Sequence, residues 1–135
     1  MKKIPSIGEA EWQVMNVLWE KGEATFSEIR SALKEHSWSQ TTIHTMLTRL
    51  IKKGVVAIKE GISPYVFYPL VSREECRKHE TFSFLKRVYN GSVKLFLANF
   101  VNDVELSDRE IDELLKMLEK CKTTEQPSEG GNDNA

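Results

Sequence analysis

Thr41, Thr45, Thr48 and Lys52 recur at intervals of three and four residues, with Arg49 beside them, a spacing that gathers side chains on one face of a helix. Short hydroxyls approach base edges and phosphate oxygens closely, and cations neutralise phosphates. The chemistry such a row supports is recognition of duplex DNA. Thr42, His44 and Lys53 border the row, and no acidic residue occurs between Glu35 and Glu60. The other side of the same stretch carries Ile43, Met46, Leu47, Leu50 and Ile51, an apolar stripe suited to a core. An ordinary amphipathic helix with a solvated polar face has the same pattern, so the flanking chain must decide.

Catalytic chemistry finds little support. The three histidines, His36, His44 and His79, are dispersed, and there is no Gly-rich phosphate loop or Ser/His/Asp grouping. Cys76 and His79 stand three apart on one helical stripe, where core or interface packing explains both. Cys76 and Cys121 lack CxxC spacing, so no enzyme activity, cofactor or metal site is expected. No signal peptide or membrane-length apolar run is present; a reduced, cytoplasmic setting without a membrane partner is the simplest expectation. The formal net charge of −1 hides an asymmetry: residues 1–71 carry +2 and residues 72–135 carry −3. A nucleic-acid binder with so small a basic excess must concentrate it on one surface.

The elements that would position the polar row follow from local signals. Ser6-Ile7-Gly8-Glu9 reads as a capping box opening a helix that runs to about Lys21, with Ala10, Val14, Val17 and Leu18 facing inward and Gly22 as its stop. Thr25-Phe26-Ser27-Glu28 opens a second helix that buries Phe26, Ile29 and Leu33 and ends near His36. Ser39 caps the third helix, which carries the row, and Gly54 ends it. The period then becomes extended: 55–60 and 65–71 are β-branched and aromatic, split by the turn Gly61-Ile62-Ser63-Pro64. Three helices followed by a hairpin is the order of a winged helix-turn-helix, whose wing would bring Lys59 and Ser63 to the DNA backbone. A hairpin that merely closes a core is the plainer alternative.

Three further helices are predicted between residues 72 and 122. Ser72-Arg73-Glu74-Glu75 opens the first, 93–104 forms an unusually apolar second, and Ser107-Asp108-Arg109-Glu110 opens the third. About 50 residues is small for an independent monomeric bundle, so a second copy is expected to cover Phe82, Leu85, Leu95, Phe96, Phe100, Leu114 and Leu118. A bundle folded back on its own winged helix is the alternative. A two-fold pair would present two winged helices to a palindromic operator. The expected architecture is therefore mainly α with a small β-hairpin wing. It comprises a winged-helix DNA-binding domain at 5–71, a three-helix dimerisation domain at 72–122 and a disordered tail at 123–135.

Ala10-Glu11-Trp12-Gln13-Val14-Met15, Thr41 through Leu50 with Lys53-Gly54, and Tyr68-Pro69-Leu70-Val71 together resemble the penicillinase and methicillin-resistance repressor (BlaI/MecI) family. The resemblance covers residues 4 to 122 and implies a homodimeric transcriptional repressor on a palindromic operator in antibiotic resistance. It also implies inactivation through a sensor-linked protease that cuts an Asn-Phe bond in the dimerisation region, matched here by Asn99-Phe100. Cutting there would unlink two weak half-site binders and collapse their effective concentration. The family's usual long cations are replaced by His44 and Thr41, which removes bidentate guanine readout from both positions. Rival readings are a winged-helix protein–protein adaptor and a family member answering another signal, such as copper. The copper branch uses clustered C-terminal cysteines, which this chain lacks.

Overall fold

The computed structural model describes residues 4–122, so the tail expected at 123–135 lies outside the described residues. In chain order the elements are α1 (Glu9–Lys21), β1 (Ala24–Thr25), α2 (Phe26–Ala32), a 3-10 turn (Lys34–His36), α3 (Gln40–Lys52), β2 (Val56–Lys59), β3 (Val66–Pro69), α4 (Arg73–Tyr89), α5 (Val93–Asp103) and α6 (Asp108–Lys122). The protein is mainly α with a small antiparallel sheet, as the sequence implies.

Most helix starts obey the local capping signals. Thr25 Oγ1 accepts from the Glu28 N–H while the Glu28 carboxylate accepts from the Thr25 N–H, and Ser72 with Glu75 and Ser107 with Glu110 repeat this reciprocal pair. Ser39 Oγ accepts from the Thr42 N–H at 3.1 Å to open α3. The first helix is the exception. It begins two residues later than the Ser6 box requires, with Gly8 as the cap; glycine offers no side-chain oxygen, so only half a box forms, from the Gly8 N–H to Glu11 Oε1. Ser6 instead turns its carbonyl to Lys53, and Ile7 enters the core.

The hairpin pairs Val56 with Pro69 and Lys59 with Val66, as β-branched and aromatic strands should. Its other edge is taken by β1, with Ala24 opposite Phe67 and Thr25 opposite Val66, giving the order β1-β3-β2. Gly22, at φ 84°, turns the chain from α1 into that short strand, a conformation costly for any side chain with a Cβ. A two-residue strand carries too little periodicity to be read from sequence.

The described residues divide into two compact units, 4–88 and 89–122, with the division near the end of α4. In the first unit, Val14, Met15 and Leu18 of α1, Ile29 of α2, and Ile43, Met46, Leu47 and Leu50 of α3 pack with Val55, Val56 and Phe67. Each such aliphatic side chain contributes about 1.5–3 kcal/mol on burial. Cys76 joins this core, so the start of α4 belongs to it. Trp19 strengthens the junction: its indole N–H donates to the Val71 carbonyl at 2.9 Å, and the Arg73 guanidinium lies 5.6 Å over its ring.

The second unit contains α5 and α6, neither of which buries a single residue. Phe96 meets Tyr89 edge-on at 5.4 Å and Phe100 at the same distance in a stacked arrangement. Leu97, Val101, Val104, Ile111, Leu114 and Leu118 are among the residues lining an apolar groove of about 590 Å³. Among the described residues, no helix is long and apolar enough to cross a membrane.

Candidate nucleic-acid interface

Helix α3 buries Ile43, Met46, Leu47 and Leu50 and leaves Thr41, Thr45, Thr48, Arg49 and Lys52 exposed. The two faces are those the periodicity predicts, because a side chain's side on a helix depends only on its number and the 100° step. Arg49 and Lys52 are exposed and form no salt bridge among the described residues.

Lys53 belongs to a different arrangement. Its Nζ lies 2.6 Å from Glu11 Oε1 and 2.8 Å from the Ser6 carbonyl, so the cation that borders the polar row in sequence turns inward. Glu11 is the only charged side chain counted among the buried described residues, at 6% exposure. Burial pushes its carboxyl up, but the Lys53 hydrogen bond, the Gly8 N–H and the Lys53 and Arg49 charges together hold it below the ordinary carboxylate value.

The remaining expected contacts are modified by neighbours. Thr42 Oγ1 lies 3.0 Å from Ser39 Oγ, so this hydroxyl is engaged in the helix start. His44 is exposed, yet its ring stacks on Phe26 at 4.0 Å and 11°, which sets its orientation. Lys59 is paired with Glu23 at 2.7 Å and sits at the end of β2, not at the hairpin tip. Ser63 is exposed in the tip and helps line a groove of about 550 Å³ with Thr25, Phe26, Ser27, His44 and Tyr65. Phe26, Glu23 and Tyr65 are the residues sequence reasoning missed. Only Tyr65, an aromatic beside a polar turn, carried a local signal.

Of the expected dimer contacts, Phe82 is 62% exposed and Leu118 is 56% exposed, and Leu95, Phe100 and Leu114 are exposed as well. Phe96 is half-buried between Tyr89 and Phe100. Leu85 departs from the expectation: at 7% exposure it is already buried within the chain and offers no free apolar surface. Asn99 and Phe100 are both exposed within α5.

Comparison with known proteins places this geometry in context. The sequence matches the penicillinase repressor family over residues 7–120. It is 39% identical over 123 residues to a penicillinase repressor from Bacillus licheniformis, covering 90% of this chain and 96% of that protein. It is 35% identical to the methicillin resistance regulatory protein MecI of Staphylococcus aureus (strain N315), covering 87% of this chain and 97% of that one. Among solved structures, the solution structure of the DNA-binding domain of the repressor BlaI matches with a TM-score of 0.50 at 39% identity, over 56% of this chain and 93% of that one.

Proposed function

This chain belongs to the penicillinase repressor family, and from that premise we propose that it is a homodimeric transcriptional repressor that binds a palindromic DNA operator through the outward face of α3. The observation that carries this reading is that face itself. Thr41, Thr45 and Thr48 stand in the open, Arg49 and Lys52 are free of salt bridges among the described residues, and no carboxylate occurs from residue 36 to residue 59. In this reading α3 lies in the major groove, where the threonine hydroxyls reach base edges while Arg49 and Lys52 neutralise phosphates on the flanking strand. Buried core residues on the other side of α3 hold it rigid, so recognition requires little ordering of side chains.

The exposed apolar side chains of α5 and α6 support a second copy as their cover. Two linked half-site binders gain affinity through effective concentration, and proteolysis at Asn99-Phe100 by a sensor-linked protease would remove that gain by severing α5. The cut would leave residues 4–88 as a compact unit, so the switch acts on dimer linkage rather than on the fold of the reading head.

The test is selection of bound duplexes from a random-sequence pool by the full-length protein at low salt, followed by gel shift across a salt series. A palindromic consensus and an affinity that falls steeply with salt are expected. Failure to enrich any sequence would remove the repressor reading. Binding that ignores salt would favour a protein-docking role for the same face.

A further inference from the structure

A second groove of the first unit takes no part in the reading face. It lies among α1, the 3-10 turn and the start of α4, and contains no residue of α3 or of the hairpin. We infer that it is a regulatory site for a small organic monocarboxylate with a planar apolar body, and that its occupation is felt by α3 through His36 and Trp38. Binding itself is independent of the repressor reading; the effect on DNA rests on that reading.

The lining selects the ligand. Its volume of about 850 Å³ falls within the roughly 300–1,000 Å³ of small-molecule sites. Arg73 and Arg77 stand about one turn apart on α4, and with Lys21 they are free of salt bridges among the described residues. Guanidinium groups present paired N–H donors that match a carboxylate. Glu20 and Glu35 share the lining, so three cations against two carboxylates leave one positive charge. That balance suits a monoanion and disfavours a phosphate dianion. The half-buried side-chain amides of Gln13 and Asn16 make no hydrogen bond among the described residues and are open to polar atoms of the ligand. Trp12 supplies an apolar wall for its body, held edge-on by Trp19 at 5.5 Å.

Two joints of the first unit meet in this groove. His36 lines it and stacks on Trp38 at 4.3 Å and 11°. Trp38 packs against the core and directly precedes Ser39, the cap of α3. A ligand that shifts His36 therefore acts on the start of the reading helix. Arg73 lies over Trp19, whose indole N–H holds the Val71 carbonyl where the hairpin passes into α4.

The experiment titrates the isotope-labelled full-length protein with benzoate, and in parallel with neutral benzamide, at constant ionic strength. All three tryptophans are reporters, because Trp12 lines the groove, Trp19 lies beneath Arg73 and Trp38 stacks on His36. Saturable shifts of their indole N–H resonances are expected with benzoate. Affinity should be about tenfold weaker for benzamide, and for benzoate on Arg77→Gln, an exposed position. Saturating benzoate should change affinity for the selected operator by about fivefold, and bound operator should change benzoate affinity by the same factor, as linkage requires. Shifts that do not saturate, or that are equal for benzamide or for Arg77→Gln, would overturn the site. Saturable binding with unchanged operator affinity would overturn its coupling to α3. A protein that takes up benzoate yet binds no duplex would end the repressor reading, and the regulatory role with it, while the carboxylate site stands.

Discussion

Glu11 Oε1 on α1 and Lys53 Nζ at the end of α3 lie 2.6 Å apart, although 42 residues separate them in sequence. The pair ties the C-terminal end of the proposed reading helix to the helix behind it, and takes one positive charge off the DNA-facing side. Replacing Glu11 by Gln should lower unfolding stability by about 2 kcal/mol at neutral pH, since a hydrogen bond to a charged partner is lost while Lys53 stays half-buried. Chemical denaturation measures this. Lys53→Met should, by contrast, leave operator affinity close to wild type.

The same pair gives the stability a pH dependence whose sign is determined. The folded-state value of Glu11 lies below its ordinary one, so its contribution is fully present above the ordinary carboxylate range. It is lost as pH falls through that range and then through the lowered folded value. Wild type should therefore destabilise more steeply than Glu11→Gln on acidification, in denaturation curves taken at a series of pH values. Parallel curves would contradict the ion pair as the source.

Base readers and phosphate neutralisers on α3 should separate in binding assays. Thr45→Ala should cost about 1–3 kcal/mol on the selected operator and little on random duplexes. Lys52→Ala should weaken both alike. A gel-shift series in which the two variants behave identically on all sequences would end the case for Thr45 as a base reader.

Glu23 restrains Lys59 at 2.7 Å, with both side chains partly exposed. Glu23→Gln frees that cation and removes a negative charge near the wing. Affinity for any duplex should rise about threefold at low salt and return toward wild type as salt increases. An unchanged affinity in fluorescence anisotropy titrations would place Lys59 away from the DNA.

Leu114 and Leu118 lie exposed on α6, with Leu114 45% accessible. The double substitution Leu114→Asp and Leu118→Asp should give monomers in analytical ultracentrifugation and leave the first unit folded. A persistent dimer would move the interface elsewhere, with exposed Phe82 the next surface to test.

Sequence alone determined the two faces of α3, the hairpin behind it and the capping pairs at Thr25, Ser39, Ser72 and Ser107. Each depends on residues no more than a few positions apart, and the 3.6-residue and two-residue periods act within single elements. It also carried the family resemblance, whose motifs are short and contiguous. Tertiary structure decided what each polar group does once the elements meet. It sent Lys53 to Glu11 and Lys59 to Glu23, laid Phe26 against His44, added β1 to the edge of the hairpin and buried Leu85. Those outcomes depend on which residues distant along the chain become neighbours, and no local period encodes that. A charge counted in sequence is therefore only a candidate for the interface until packing shows which partner reaches it first.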